Sequence, residues 1–161
     1  MSIGRIEHNI LSVLDLAASI EENLSMLYSR IKMLTKDPYA KLVLEYLSNE
    51  CWSHRKLLGD LLSFDIERFR IEREELRGVV EHLNESFRSV REVYLRCHQI
   101  YDERELAGII RDLERILRDL LNTYTTLRTF YEDEKSSIRK ILDLLIRDSE
   151  AHSEILRELF G

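Results

Sequence analysis

Apolar residues recur every three or four positions through nearly the whole chain, and almost nothing interrupts them. The only proline is Pro38, and five glycines are spread over 161 residues. A sandwich or barrel needs a turn every 8–12 residues, roughly, and this chain lacks the residues that make them. The pattern predicts long amphipathic helices. The first covers about 3 to 35, with stripes Ile10, Leu14, Ala17, Glu21, Leu24, Tyr28, Ile31 and Ile3, Ile6, Val13, Ile20, Leu27, Leu34. Two stripes mean contact with more than one neighbour. Asp37 suits the cap of the next helix and Pro38 its first turn. That helix covers about 39 to 63, with Leu44, Leu47, Cys51, His54, Leu58 and Leu61 on its seam. Residues 64 to 71 read as a charged connector. A further helix runs from about 72 to 101, on Leu76, Val80, Leu83, Phe87, Val90, Tyr94, Cys97 and Tyr101. Asp102 and Glu105 have capping-box spacing. A helix from about 103 to 131 follows, and Asp133 and Ser136 open the last, about 135 to 160, with Ile138, Leu142, Leu145, Ser149, His152, Leu156 and Leu159 inward. The reading is all-α, one helical-bundle domain over residues 1–161.

Charge and composition narrow the function classes. Net charge is -6 with pI near 5.5, against the basic face of a nucleic-acid binder. No apolar run reaches the roughly 18 residues of a membrane span, and no leader-type apolar segment follows the N-terminus. Two cysteines cannot make a disulfide framework, so a cytoplasmic setting is expected. The extra amphipathic helix offers surface for a homodimer, the commonest symmetric assembly.

Two segments of the sequence look alike. Residues 50–58 read Glu-Cys-Trp-Ser-His-Arg-Lys-Leu-Leu, and residues 148–156 read Asp-Ser-Glu-Ala-His-Ser-Glu-Ile-Leu. Both run acid, small, any, any, His, any, any, aliphatic, Leu. The helices before them match too, with Glu21 and Tyr28 seven apart and Leu117 and Tyr124 seven apart. Counted from the turns, Glu21, Cys51, His54, Ser149 and His152 converge at one level, with Tyr28 and Tyr124 about two turns along. An ionised carboxylate without partners in a dry core costs several kcal/mol. Glu21 must therefore be protonated, paired with imidazole, hydrated or bound to a metal. Carboxylate, thiolate and imidazole are the side chains that ligate transition metals.

In these residues the chain resembles the ferritin-like superfamily, nearest its rubrerythrin-type branch. The resemblance implies an antiparallel four-helix bundle of two hairpins, with residues of about 64–102 as an extra helix in the connection between core helices two and three. It also implies a di-iron site built from a Glu on core helices one and three and Glu-x-x-His on two and four. Glu21, Tyr28, His54 and His152 match that pattern. Cys51, Ser149 and Leu117 stand where the family has Glu, and no Cys-x-x-Cys pair is present for a rubredoxin-type domain.

A reduced site follows from the residues that remain. Glu21, Cys51, His54 and His152 make a tetrahedral set for zinc. Glu21, His54 and His152 alone make the two-His, one-carboxylate set of mononuclear iron. Glu50 and Asp148, four residues before each His, could replace ligands or accept hydrogen bonds from them, and so could Glu114, one turn from Leu117. Tyr28 and Tyr124 would be near neighbours. By resemblance such a protein serves iron handling, peroxide reduction or O₂-linked oxidation. Two readings compete with a metal protein: a non-catalytic ferritin-like scaffold that binds itself or a protein partner with no metal, and an unrelated helical adaptor.

Overall fold

The computed structural model describes residues 7–64, 66–131 and 136–161. It is all-helical, with no strand among the described residues. Helix α1 spans Ile10–Leu34, α2 Pro38–Leu62, α3 the single turn Ile66–Phe69, α4 Arg77–Cys97, α5 Leu106–Arg128 and α6 Ser137–Phe160. Short 3-10 turns at Glu74–Leu76 and Glu103–Glu105 lead into α4 and α5.

Helix ends follow the capping residues more closely than the apolar stripes. Asn9 caps α1 by accepting from the Ser12 N–H at 2.8 Å, so the helix starts at Ile10 and not near residue 3. The apolar period runs on past that cap, and Ile3 and Ile6 lie outside the described residues. Asp37 accepts from the Tyr39 N–H at 3.1 Å and Pro38 opens α2. The connector at 64 to 71 contains α3, which buries Phe69 completely. Asp102 accepts from the Arg104 N–H at 3.0 Å and separates α4 from α5. Because α4 already ends at Cys97, Tyr101 is 89% exposed and leaves the stripe assigned to it. Ser136 stands at the cap of α6 without a side-chain hydrogen bond, and Asp133 lies outside the described residues.

Ion pairs and hydrogen bonds give the directions of the helices. Lys32–Glu45 (3.4 Å) and Glu22–Arg55 (3.8 Å) run up one side of an antiparallel α1–α2 hairpin. Within it, the Ser48 hydroxyl donates to the Ser25 carbonyl at 2.8 Å, where small residues let the backbones approach. Arg128–Asp143 (2.8 Å) ties the α5–α6 hairpin. The segment before α4 meets the start of α1, where the Arg73 N–H donates to the His8 carbonyl at 2.7 Å. At the other end of α4, Arg30 donates to the Cys97 carbonyl at 3.3 Å, so α4 runs parallel to α1. On α5, Arg96–Asp112 and Ser86–Asp119 pair in antiparallel order. Helices α1 and α5 also touch, as do α2 and α6.

All five long helices feed one apolar cluster. Burying each Leu or Ile there contributes about 1.5–3 kcal/mol, which is why the stripes decide the packing. Cys51 and Cys97 are buried and unpaired. No helix among the described residues is long and apolar enough to cross a membrane.

Candidate metal centre

Five polar side chains among the described residues sit deep where α1, α2, α5 and α6 meet, and each arrives by helix register. On α2, Glu50 and His54 are one turn apart. On α6, Asp148 and His152 are one turn apart. His54 Nε2 lies 2.9 Å from Asp148 Oδ2, and His152 Nε2 lies 3.3 Å from Glu50 Oε1. Each acid therefore meets the imidazole of the other helix. This crossed pairing requires α2 and α6 to run antiparallel, and it makes the two halves of the sequence repeat face each other across a local two-fold axis. The rings stack with centroids 5.8 Å apart and planes 22° apart.

Exposure falls steeply from one side of the cluster to the other. Glu50 and Asp148 keep 16% and 20% of their side-chain surface, while His54 keeps 5% and His152 and Glu21 each keep 2%. The acids floor an open cleft of about 370 Å³ between α2 and α6, which Tyr46, Asn49, Ser53 and Arg147 also line. Behind the imidazoles stands Glu21, with Oε1 3.4 Å from His54 Nδ1. That contact is an ion pair without hydrogen-bond alignment, and Nδ1 has no other partner. Tyr124 donates to the same Glu21 oxygen at 2.9 Å. Cys51 Sγ lies 3.9 Å from His152 Nδ1.

The sequence places Tyr124 two turns from Glu21, and the structure overturns this. Helices α1 and α5 are antiparallel, so residue 124 of one stands level with residue 21 of the other. The same register sets Leu117 level with Tyr28. Tyr28 is completely buried, packs edge-on to His152, and its hydroxyl has no hydrogen-bond partner. Leu117, the repeat counterpart of Glu21, offers it no acceptor. Ser149 is buried in the position equivalent to Cys51, while Glu114 is half-buried on α5.

Electrostatics divide the two imidazoles. Burial works to lower the pKa of His54, but contact with Glu21 and then with Asp148 outweighs it and raises the value to about 9. His54 is a cation at neutral pH. For His152, burial prevails over the carboxylates of Glu50 and Glu21, helped by repulsion from His54, and the pKa is lowered. That ring is neutral. Burial, then the charge of Glu21, holds the Cys51 thiol protonated well above its ordinary range. Tyr28 and Tyr124 are likewise raised by burial first. Tyr46, which sequence reasoning missed, is raised chiefly by its interaction with the neighbouring Glu50 carboxylate. Its position four residues before Glu50 was the available signal.

The donors that approach one another most closely are Glu50, His54 and Asp148, whose ligand atoms lie within 4.8 Å of one another. This group could hold a metal ion. The spacing differs only by small side-chain adjustments from the roughly 3.4 Å between tetrahedral ligands about 2.1 Å from an ion. The grouping differs from the tetrahedral set expected from the sequence. Glu50 and Asp148 occupy the open side, with His54 Nε2 between them and His152 Nε2 beside Glu50, whereas Glu21 and Cys51 lie behind, at the Nδ1 atoms. A second observation concerns unpartnered atoms. Glu50 Oε2, His54 Nδ1, His152 Nε2 and the Tyr28 hydroxyl are buried without a hydrogen-bond partner, and only Arg73 Nε shares that condition among the described residues. Buried polar atoms are nearly always satisfied. Two of these atoms, Glu50 Oε2 and His152 Nε2, lie on the open side of the cluster and fit a cation there, whereas His54 Nδ1 faces Glu21.

Comparison of the chain with family models, with curated proteins and with solved structures gives no match. Function is therefore read from the geometry.

Proposed function

We propose that this chain is a ferritin-like bundle, with α1, α2, α5 and α6 as its core and α4 in the connection, that binds one transition-metal ion between α2 and α6. Glu50, His54, Asp148 and His152 would hold it, and iron or zinc suits two carboxylates and two imidazoles. Glu21 would accept from His54 Nδ1–H and Cys51 from His152 Nδ1–H, the outer contacts that fix the tautomer of a ligating histidine. Bound iron would supply redox chemistry, for iron handling or defence against oxidants. Free, buried thiols at Cys51 and Cys97 suit a reducing cytoplasm, and we retain the homodimer as part of this reading.

One observation carries the proposal: among the described residues, Glu50, His54 and Asp148 bring ligand atoms within 4.8 Å of one another, and buried Glu50 Oε2 and the neighbouring His152 Nε2 have no hydrogen-bond partner. Elemental analysis of protein purified without chelator tests it. The expected result is close to one ion per chain in the wild type and almost none in His54→Ala/His152→Ala. A second reading, a metal-free scaffold, is favoured by the His54–Asp148 contact, which joins α2 to α6, and the Tyr124–Glu21 contact, which joins α5 to α1, both with no ion. Near-zero metal in both proteins would establish that reading instead.

A further inference from the structure

Helix α4, the surface the sequence offers for association, is already used within the chain, where its Val80, Leu83, Val90, Val93 and Cys97 are buried. It packs on both α1 and α5 and so covers the seam between them. The opposite seam, between α2 and α6, has no helix over it among the described residues. On α2, beside that seam, Tyr39, Leu42 and Tyr46 recur at three and four residues along one face and are 77%, 64% and 58% exposed. Among the described residues no other helix leaves three large apolar side chains open on one face: α1 leaves Met26 and Met33, and α4 only Leu95. A run of this kind marks an interaction surface.

Charge identifies the partner that fits it. The α1-facing flank of the stripe carries Lys41 and, one turn on, Glu45. Glu45 keeps 53% of its side-chain surface while pairing with Lys32, and Lys41 has no ion pair among the described residues. We propose that α2 packs antiparallel on α2 of a second copy of this chain, about a two-fold axis near Leu42 and Val43. That register sets Tyr39 level with Tyr46 of the second copy, and Lys41 level with its Glu45. The axis repeats each pairing, so the flank is complementary to itself, as an isologous interface requires. Burying the open parts of the four tyrosines alone removes roughly 500 Å² from water, about a third of a standard interface of roughly 1,600 Å². Glu50 lies about 10 Å along α2 from the axis, level with Lys36 of the second copy, which precedes its α2. The cleft over the acids therefore stays at the rim. This inference rests on the homodimer of the reading above and names its surface; it uses no metal ligand.

Sedimentation equilibrium of the full chain in chelator, with a charge swap, tests the inference. The wild type should be a dimer. Lys41→Glu should weaken it about tenfold, and Lys41→Glu/Glu45→Lys should return it to within about threefold of the wild type, because like charges facing each other are replaced by opposite ones. Leu42→Cys, beside the axis, should form a disulfide-linked dimer on mild oxidation, whereas Met33→Cys, 71% exposed on α1, should not. The native thiols are buried and do not confuse the result. All four positions are partly or largely open, and circular dichroism checks that each variant stays helical. A wild type that is monomeric up to about 1 mM would overturn both the homodimer and this surface. A dimer that ignores Lys41→Glu, is not restored by the swap, or is not cross-linked by Leu42→Cys would keep the homodimer and overturn the surface.

Discussion

In the α1–α2 hairpin, Glu21 backs His54 and receives the Tyr124 hydroxyl. In the α5–α6 hairpin, Leu117 stands where that acid would be, His152 is backed by a thiol, and the Tyr28 hydroxyl has no acceptor. The surroundings are otherwise alike, with a crossed carboxylate at each imidazole. One buried acid therefore separates a cationic histidine from a neutral one. The difference also shows how a repeat can keep its geometry and divide its chemistry: one imidazole is held by charge, the other is left available by its absence.

Supplying the missing acid should break the comparison most strongly. In metal-free protein, Leu117→Glu should cost about 2–4 kcal/mol, because a buried carboxylate is desolvated with incomplete pairing. It should also raise the pKa of His152 toward that of His54. Chemical denaturation and ¹⁵N shifts of the imidazoles check both, and an unchanged His152 would show that Glu21 is not the source of the asymmetry.

The pH dependence of stability should come next in size. The folded pKa of His54 lies above its unfolded value of 6.5, at about 9. Its contribution is fully present below pH 6.5 and is lost as pH rises through 9, on the order of 3 kcal/mol in all. His152 has a lowered folded pKa, so its contribution has the opposite sign: stability is lost as pH falls below 6.5. Denaturant unfolding in chelator from pH 5 to 10 should resolve the alkaline loss, and Glu21→Gln should shrink it. A flat alkaline limb in the wild type would contradict the assignment of His54 as a cation.

The tyrosines give the smallest and sharpest contrast. Tyr124→Phe removes a hydroxyl bonded to a buried carboxylate and should cost about 1.5–3 kcal/mol. Tyr28→Phe removes a hydroxyl with no partner and should be neutral or slightly stabilising in the metal-free protein, within about 1 kcal/mol. Equal losses at the two positions would mean that the repeat is more symmetric than its hydrogen bonds indicate.

Much of the architecture was legible because helical period and capping chemistry are local. The stripes place all five long helices, and Asp37-Pro38 marks a real boundary. The period overran at Asn9, since Ile3 and Ile6 continue it while the cap ends it, and at Tyr101, where three residues of turn follow Cys97. The convergence of Glu21, His54 and His152 was legible from the repeat. Which ring nitrogen faces which acid was not, because it depends on α2 and α6 crossing antiparallel. The same holds for Tyr124: its distance from Glu21 is set by register between α1 and α5, and the matching seven-residue spacings encode it only once that direction is known.

Cobalt(II) titration of the metal-free protein tests the centre most directly, because its visible spectrum reports both geometry and ligand type. The account predicts saturation at close to one equivalent, no thiolate charge-transfer band, and loss of the spectrum in Glu50→Gln/Asp148→Asn. No visible bands, or a thiolate band that survives in that variant, would contradict it, the second by moving the ion to the Glu21 and Cys51 side of the imidazoles.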